Sequence, residues 1–159
     1  MAGKSIFYWD TCIFLAWFKD ENRPNGEIEG VNAIAEMVHR NHAILVTSTI
    51  IEPEILKSTL NEQALQRFEN LFKRKNFRKI AADSRVMKLS AEIRDFYKQQ
   101  GNNRLKTPDA IHLASAILYA ANEFHTFDEA LLSLSGNVAE HLLKICKPPL
   151  PAQRGLFLK

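Results

Sequence analysis

Apolar residues recur along this chain in two rhythms. Compact runs such as "SIFYWD" and "AILVTS" have the density of buried strands. Between them, apolar positions return at helical spacing. From Glu27 to Asn41 the stripe is Ile28, Val31, Ala35 and Val38. From Asn61 to Lys73 it is Leu65, Phe68 and Phe72. A longer helix follows Asp83, its natural cap, and runs through Gln100 with Val86, Leu89, Ile93 and Phe96 inward. Gly101 terminates it. Thr107 and Pro108 open another helix, with Ile111, Ala114 and Leu118 facing the core.

Shorter elements fill the intervals. "TCIFLAWF" begins a helix capped by Asp10 or Thr11, Glu52 to Ser58 forms a second, and Asp128 to Leu134 a third. "FRKI", "EFHTF" and "HLLKIC" are the third, fourth and fifth strands. "KDENRPNGE" is a polar loop, and residues 149–159 form a tail that its prolines keep out of regular structure. Strands that alternate with helices make this an α/β fold. The expected architecture is a parallel sheet of about five strands, covered on both faces and joined by right-handed crossovers.

Composition adds bounds rather than detail. At 159 residues, with 46% hydrophobic and 25% charged positions, the chain fits one globular domain spanning 1–159. "IFYWDTCIFLAWF" is too short to span a bilayer and is interrupted by Asp10, so no membrane association is expected. Cys12 and Cys146 lack metal-ligand spacing and read as reduced core thiols of a cytoplasmic protein. A net charge of +3 permits an anionic partner without demanding one.

Candidate chemistry lies in the carboxylates. Asp10 ends the first strand. Glu54, with Glu52 as its rival, lies in the first turn after the second strand. Asp109 lies in the first turn of its own helix, and Asp128 follows the fourth strand. In a parallel sheet these places share one edge, where ligands bind. Each acid alone has an ordinary explanation in capping or the helix dipole. Together they repel one another, and a hard cation such as Mg²⁺ or Mn²⁺ offsets that repulsion. Such a site suits phosphodiester hydrolysis, because the cation polarises the phosphoryl oxygen and acidifies water.

"FYWDTCIFL", "VTSTIIEPEIL", "LKTPDAIHLASAI" and "HTFDEALL" resemble, in order, the motif blocks of PIN-domain proteins. These are metal-dependent ribonucleases, many of them toxins of VapBC toxin–antitoxin pairs. The resemblance runs from about Ser5 to about Pro148, with "PDAIHLASA" and the following "TFD" its most specific part. It implies a three-layer α/β/α sandwich and an acidic quartet of Asp10, Glu54, Asp109 and Asp128. It places Ser48 and Thr126 at the hydroxyl positions that support the carboxylates or the metal shell, with Thr11 beside them. It also implies an RNA substrate, an antitoxin partner and a homodimer.

Other residues carry weaker signals. His112 lies one turn after Asp109 and suits either a supporting or a phosphate-contacting role. His125 reads as structural. Arg94, Arg104 and Lys106 suit an RNA-binding rim, and Phe77 in "FKRKNFRK" suits stacking on a base. A catalytically inactive PIN-like module that binds RNA or protein is the alternative function. A two-aspartate phosphatase is disfavoured, because Cys12 stands where its second aspartate belongs.

Overall fold

The computed structural model describes residues 3–150. Five strands, β1 (Ser5–Trp9), β2 (Ala43–Ser48), β3 (Phe77–Ile80), β4 (Glu123–His125) and β5 (Ile145–Cys146), form one parallel sheet. Their order is β3-β2-β1-β4-β5. The helices are α1 (Thr11–Phe18), α2 (Glu27–His39), α3 (Ile51–Leu56), α4 (Glu62–Leu71), α5 (Ser84–Gln99), α6 (Thr107–Leu118) and α7 (Glu129–Leu132).

Strand alternation divides the core into two. Phe7, Trp9, Leu45 and Phe77 face one way and pack with α1, α2, α3 and α4. Tyr8, Val46, Phe124 and Ile145 face the other way and pack with α5 and α6. The expected three-layer α/β/α sandwich is therefore present. The chain winds outward from β1 to β3 on one side, then returns to lay β4 and β5 on the other. The reversal falls between β1 and β4. At the carboxyl ends of those two strands such sheets form a crevice.

A seam outside the sheet was not anticipated. Gly26 adopts a left-handed conformation (φ +70°) just before α2, and Gly30 lies one turn on. A methyl group on Gly30 would run into the carbonyl oxygen of Pro148, and one on Gly26 into the Leu150 side chain. The two glycines thus admit the segment after β5 against α2. Gly30→Ala is expected to destabilise the protein by about 1–3 kcal/mol, because a backbone oxygen must move. For a chain of this size that is a fall of several degrees in melting temperature, roughly 2–4 °C per kcal/mol. An unchanged melt would show that the seam yields freely.

Several boundaries differ from expectation. The helix expected over Glu52–Ser58 is α3, Ile51–Leu56. Within "HLLKIC" only Ile145–Cys146 pairs with β4, and Leu142 is 91% exposed. Leu118, expected inward, is 41% exposed because α6 ends there and turns out to solvent. Phe77 is buried in β3 beneath α4, so it cannot stack on a base. Most of the expected tail lies outside the described residues. No helix among the described residues is long and apolar enough to cross a membrane. Cys12 and Cys146 are free thiols.

Candidate active site

β1 delivers Asp10 to the crevice. The backbone N–H of Asp10 donates to the His125 carbonyl (3.1 Å), which ties the end of β1 to the end of β4. One carboxylate oxygen, Oδ1, accepts the Thr11 N–H (2.7 Å) and caps α1. The other, Oδ2, accepts the Thr126 hydroxyl (2.8 Å). Asp10 is buried although it is charged. Thr126 also accepts the Asp128 N–H (3.1 Å), so one hydroxyl links two of the acids. Asp128 in turn caps α7 through Ala130 N–H (2.9 Å).

Asp109 is not a cap. The N-cap of α6 is Lys106, and no side chain caps that helix end. Burial pushes the Asp109 carboxyl up to about 6, and the neighbouring charges of Asp10, Asp128 and Glu54 push the same way. That shift marks the convergence of four acids drawn from over a hundred residues of sequence.

Helix geometry separates the two glutamates. Residues two apart on a helix point to nearly opposite sides. Glu52 faces outward and pairs with Lys79 (2.7 Å), its side chain 51% exposed. Glu54 turns inward, where its Oε1 accepts the Thr11 hydroxyl (2.9 Å) and lies 2.7 Å from His112 Nε2. Burial works against the ionised form of Glu54. The His112 bond, the His112 charge and the Thr11 bond outweigh it and hold the carboxyl below its usual range. Burial alone would lower His112. The bond to Glu54 and the charges of Asp10, Glu54 and Asp109 raise it instead.

The supporting residues separate in the same way. Ser48 is buried at the end of β2, where its hydroxyl accepts the Ile50 N–H (3.2 Å) and shapes the entry to α3. His112 is fully buried and so is not a phosphate contact. Its Nδ1 lies 2.6 Å from the Tyr8 hydroxyl. Tyr8 was missed in the sequence because an aromatic in a buried strand reads as core. Cys12 touches both Asp10 and Thr126 at 3.5 Å. Burial and the Asp10 charge push its thiol up to about 12, so it is no nucleophile at neutral pH. Arg94, Arg104 and Lys106 are exposed around the start of α6, where Arg94 Nε donates to the Leu105 carbonyl (3.4 Å).

All four acids offer hard oxygen donors, which suit Mg²⁺ or Mn²⁺. A softer grouping, Glu123, His125 and Cys146, has its donor atoms within 4.8 Å of one another elsewhere on the sheet. Trp9 Nε1 donates to His125 Nδ1 (3.1 Å), which leaves the ring proton on Nε2, 2.7 Å from Glu123. A neutral imidazole bonded in this way has no lone pair left for a cation.

The family profile described as PIN domain matches residues 7–137. No curated protein sequence matches the chain. Among solved structures it is similar to VapBC2 from Rickettsia felis, bound to a DNA fragment from its promoter. That match has a TM-score of 0.63 and 16% identity and covers 88% of this chain and 98% of that one. It is also similar to FitAcB from Neisseria gonorrhoeae, with a TM-score of 0.60, 19% identity and coverage of 89% and 97%. A toxin–antitoxin complex from Klebsiella pneumoniae gives a TM-score of 0.58, 21% identity and coverage of 92% and 99%. These likenesses are of fold, and the profile match spans most of the sequence. With five parallel strands in this order and the acids at the reversal between β1 and β4, the chain belongs to the PIN domain family.

Proposed function

We propose that this protein is a divalent-cation-dependent endoribonuclease, a single PIN-like domain spanning 1–159. We place it in the cytoplasm as the toxin of a VapBC-type pair. The carrying observation is the half-buried Asp109, crowded by Asp10, Asp128 and Glu54 at the crevice of the sheet. Asp10, Glu54, Asp109 and Asp128 would hold Mg²⁺ or Mn²⁺. When bound, such a cation polarises the phosphoryl oxygen and acidifies the attacking water. Thr126 keeps Asp10 in place, and Ser48 sets the start of the helix that carries Glu54. Arg94, Arg104 and Lys106 draw the RNA backbone past the negative charge of the acids. An antitoxin protein and a second copy of the chain are its partners. The fold shared with a toxin–antitoxin complex supports this assignment.

Cleavage of a mixed RNA pool tests the proposal. Fragments should appear with Mg²⁺ and vanish with chelator. Glu54→Gln should slow cleavage by about a hundredfold, the loss of one oriented charge worth ~2.7 kcal/mol. Glu52→Gln should stay within about twofold of the parent, because it removes only an exposed pair with Lys79. Equal loss in both variants would overturn the assignment of the glutamate. Cleavage that persists in chelator would overturn the cation dependence.

A further inference from the structure

The buried histidine of α6 is surrounded by polar groups in a way that core packing does not require. His112 is 0% exposed. Its Nδ1 meets the Tyr8 hydroxyl at 2.6 Å, and its Nε2 lies 2.7 Å from Glu54 Oε1, 3.2 Å from Thr11 Oγ1 and 3.8 Å from Asp10 Oδ1. An ionised carboxylate only accepts, so Nε2 carries the proton and donates it to Glu54. The Thr11 hydroxyl donates to the same oxygen. Two donors from two helices, α1 and α6, therefore grip Oε1, and no hydrogen bond from a described residue falls on Oε2. A glutamate in the first turn of a six-residue helix would otherwise sample many rotamers.

The far side of the ring is fixed as firmly. Tyr8 lies in the central strand, 0% exposed and stacked on Phe124 at 5.1 Å. Its ring meets the His112 ring edge-on at 5.7 Å. The imidazole thus bridges the rigid sheet and the carboxylate of Glu54. Outer-sphere partners of this kind orient a ligand and raise the affinity of its site.

We propose that His112, braced by Tyr8, is a positioning residue: with Thr11 it clamps Glu54 through one oxygen and frees the other for the cation. This rests on the cation-site reading above. It makes Glu54 the working glutamate through a contact that Glu52, on the outer side of α3, does not reach.

The test is Mn²⁺ binding without RNA, read from the free-ion electron paramagnetic resonance signal. The set is the parent, Tyr8→Phe, His112→Gln, Glu54→Gln and the His112→Gln/Glu54→Gln double variant. His112→Gln should weaken Mn²⁺ binding by about tenfold or more, with Tyr8→Phe between it and the parent. In the Glu54→Gln background, His112→Gln should add no further loss, because the clamp then has no charged ligand to hold. A purely structural histidine would lower the melting temperature and leave Mn²⁺ affinity near that of the parent. Parental affinity in both Tyr8→Phe and His112→Gln, or an equal loss with and without Glu54, overturns the inference alone. No Mn²⁺ binding by the parent overturns the cation site and the inference with it. Should His112→Gln fail to fold, Tyr8→Phe decides, since it removes a single oxygen.

Discussion

Asp109→Asn is expected to lose Mg²⁺-dependent RNA cleavage by roughly a thousandfold, ~4 kcal/mol of barrier, while making the metal-free protein more stable at neutral pH. Both effects have one origin. The Asp109 carboxyl, ordinarily near 3.8, is pushed up to about 6 by burial and by the charges of Asp10, Asp128 and Glu54. The fold therefore prefers the protonated form. The stability this group contributes is fully present below about pH 3.8 and is lost as pH rises through about 6. Asparagine is neutral throughout, so the variant escapes that loss. Melting the two proteins in chelator from acid to neutral pH should show the parent falling and Asp109→Asn falling less. Added Mn²⁺ should raise the parent and leave the variant nearly unmoved, because a ligand that binds only the folded state stabilises it. Identical melts in chelator would mean that the acids do not crowd one another. Undiminished cleavage would remove Asp109 from the site.

Phe14→Ala is expected to be the most damaging change outside the crevice, at about 3–5 kcal/mol. Phe14 is 0% exposed at the centre of an aromatic cluster. Its ring lies 5.1 Å from Trp9, 6.5 Å from Phe18, 6.3 Å from Phe68 and 6.0 Å from Phe72. Those partners belong to β1, α1, α4 and the end of α4, so one ring ties the sheet to α4. Alanine would leave a cavity that four rings from three elements cannot close together. At roughly 2–4 °C per kcal/mol the midpoint should fall by about ten degrees. Leu56→Ala is the contrast: Leu56 is 76% exposed, and its loss should change stability by no more than ~0.5 kcal/mol. Comparable falls in the two variants would mean that the aromatic cluster is not a structural hub.

Much of this arrangement is legible in the sequence, and the gaps have physical causes. β1 and β2 are readable because both faces of a central parallel strand are apolar. The end of the sheet is not: in "HLLKIC" the apolar letters of a loop and of an edge strand look alike, and only pairing with β4 tells them apart. Asp10, Asp109 and Asp128 are legible because strand ends and helix starts fix their place whatever the packing. Glu52 and Glu54 are two residues apart, and the choice depends on how α3 is rotated on α1, which spacing alone does not encode. Phe77 is hidden by the charges around it, although Arg78 and Lys79 are exposed while Phe77 and Ile80 are buried. The Tyr8–His112–Glu54 connection joins three strangers in sequence, and each of them has a commonplace local explanation.

The sheet order also governs when the crevice comes into being. Asp10 leaves the ribosome long before Thr126 and Asp128. β4 joins the edge of β1 that β2 leaves open, after β1, β2 and β3 have all been made. Synthesis runs from the amino-terminal side, and a domain generally folds as a unit. A partly made polypeptide can therefore contain the whole of β1, β2 and β3 and still lack the hydroxyl that bonds Asp10 and the last of the four acids. If the proposed site is the working one, it stays incomplete until the segment carrying Thr126 and Asp128 has emerged.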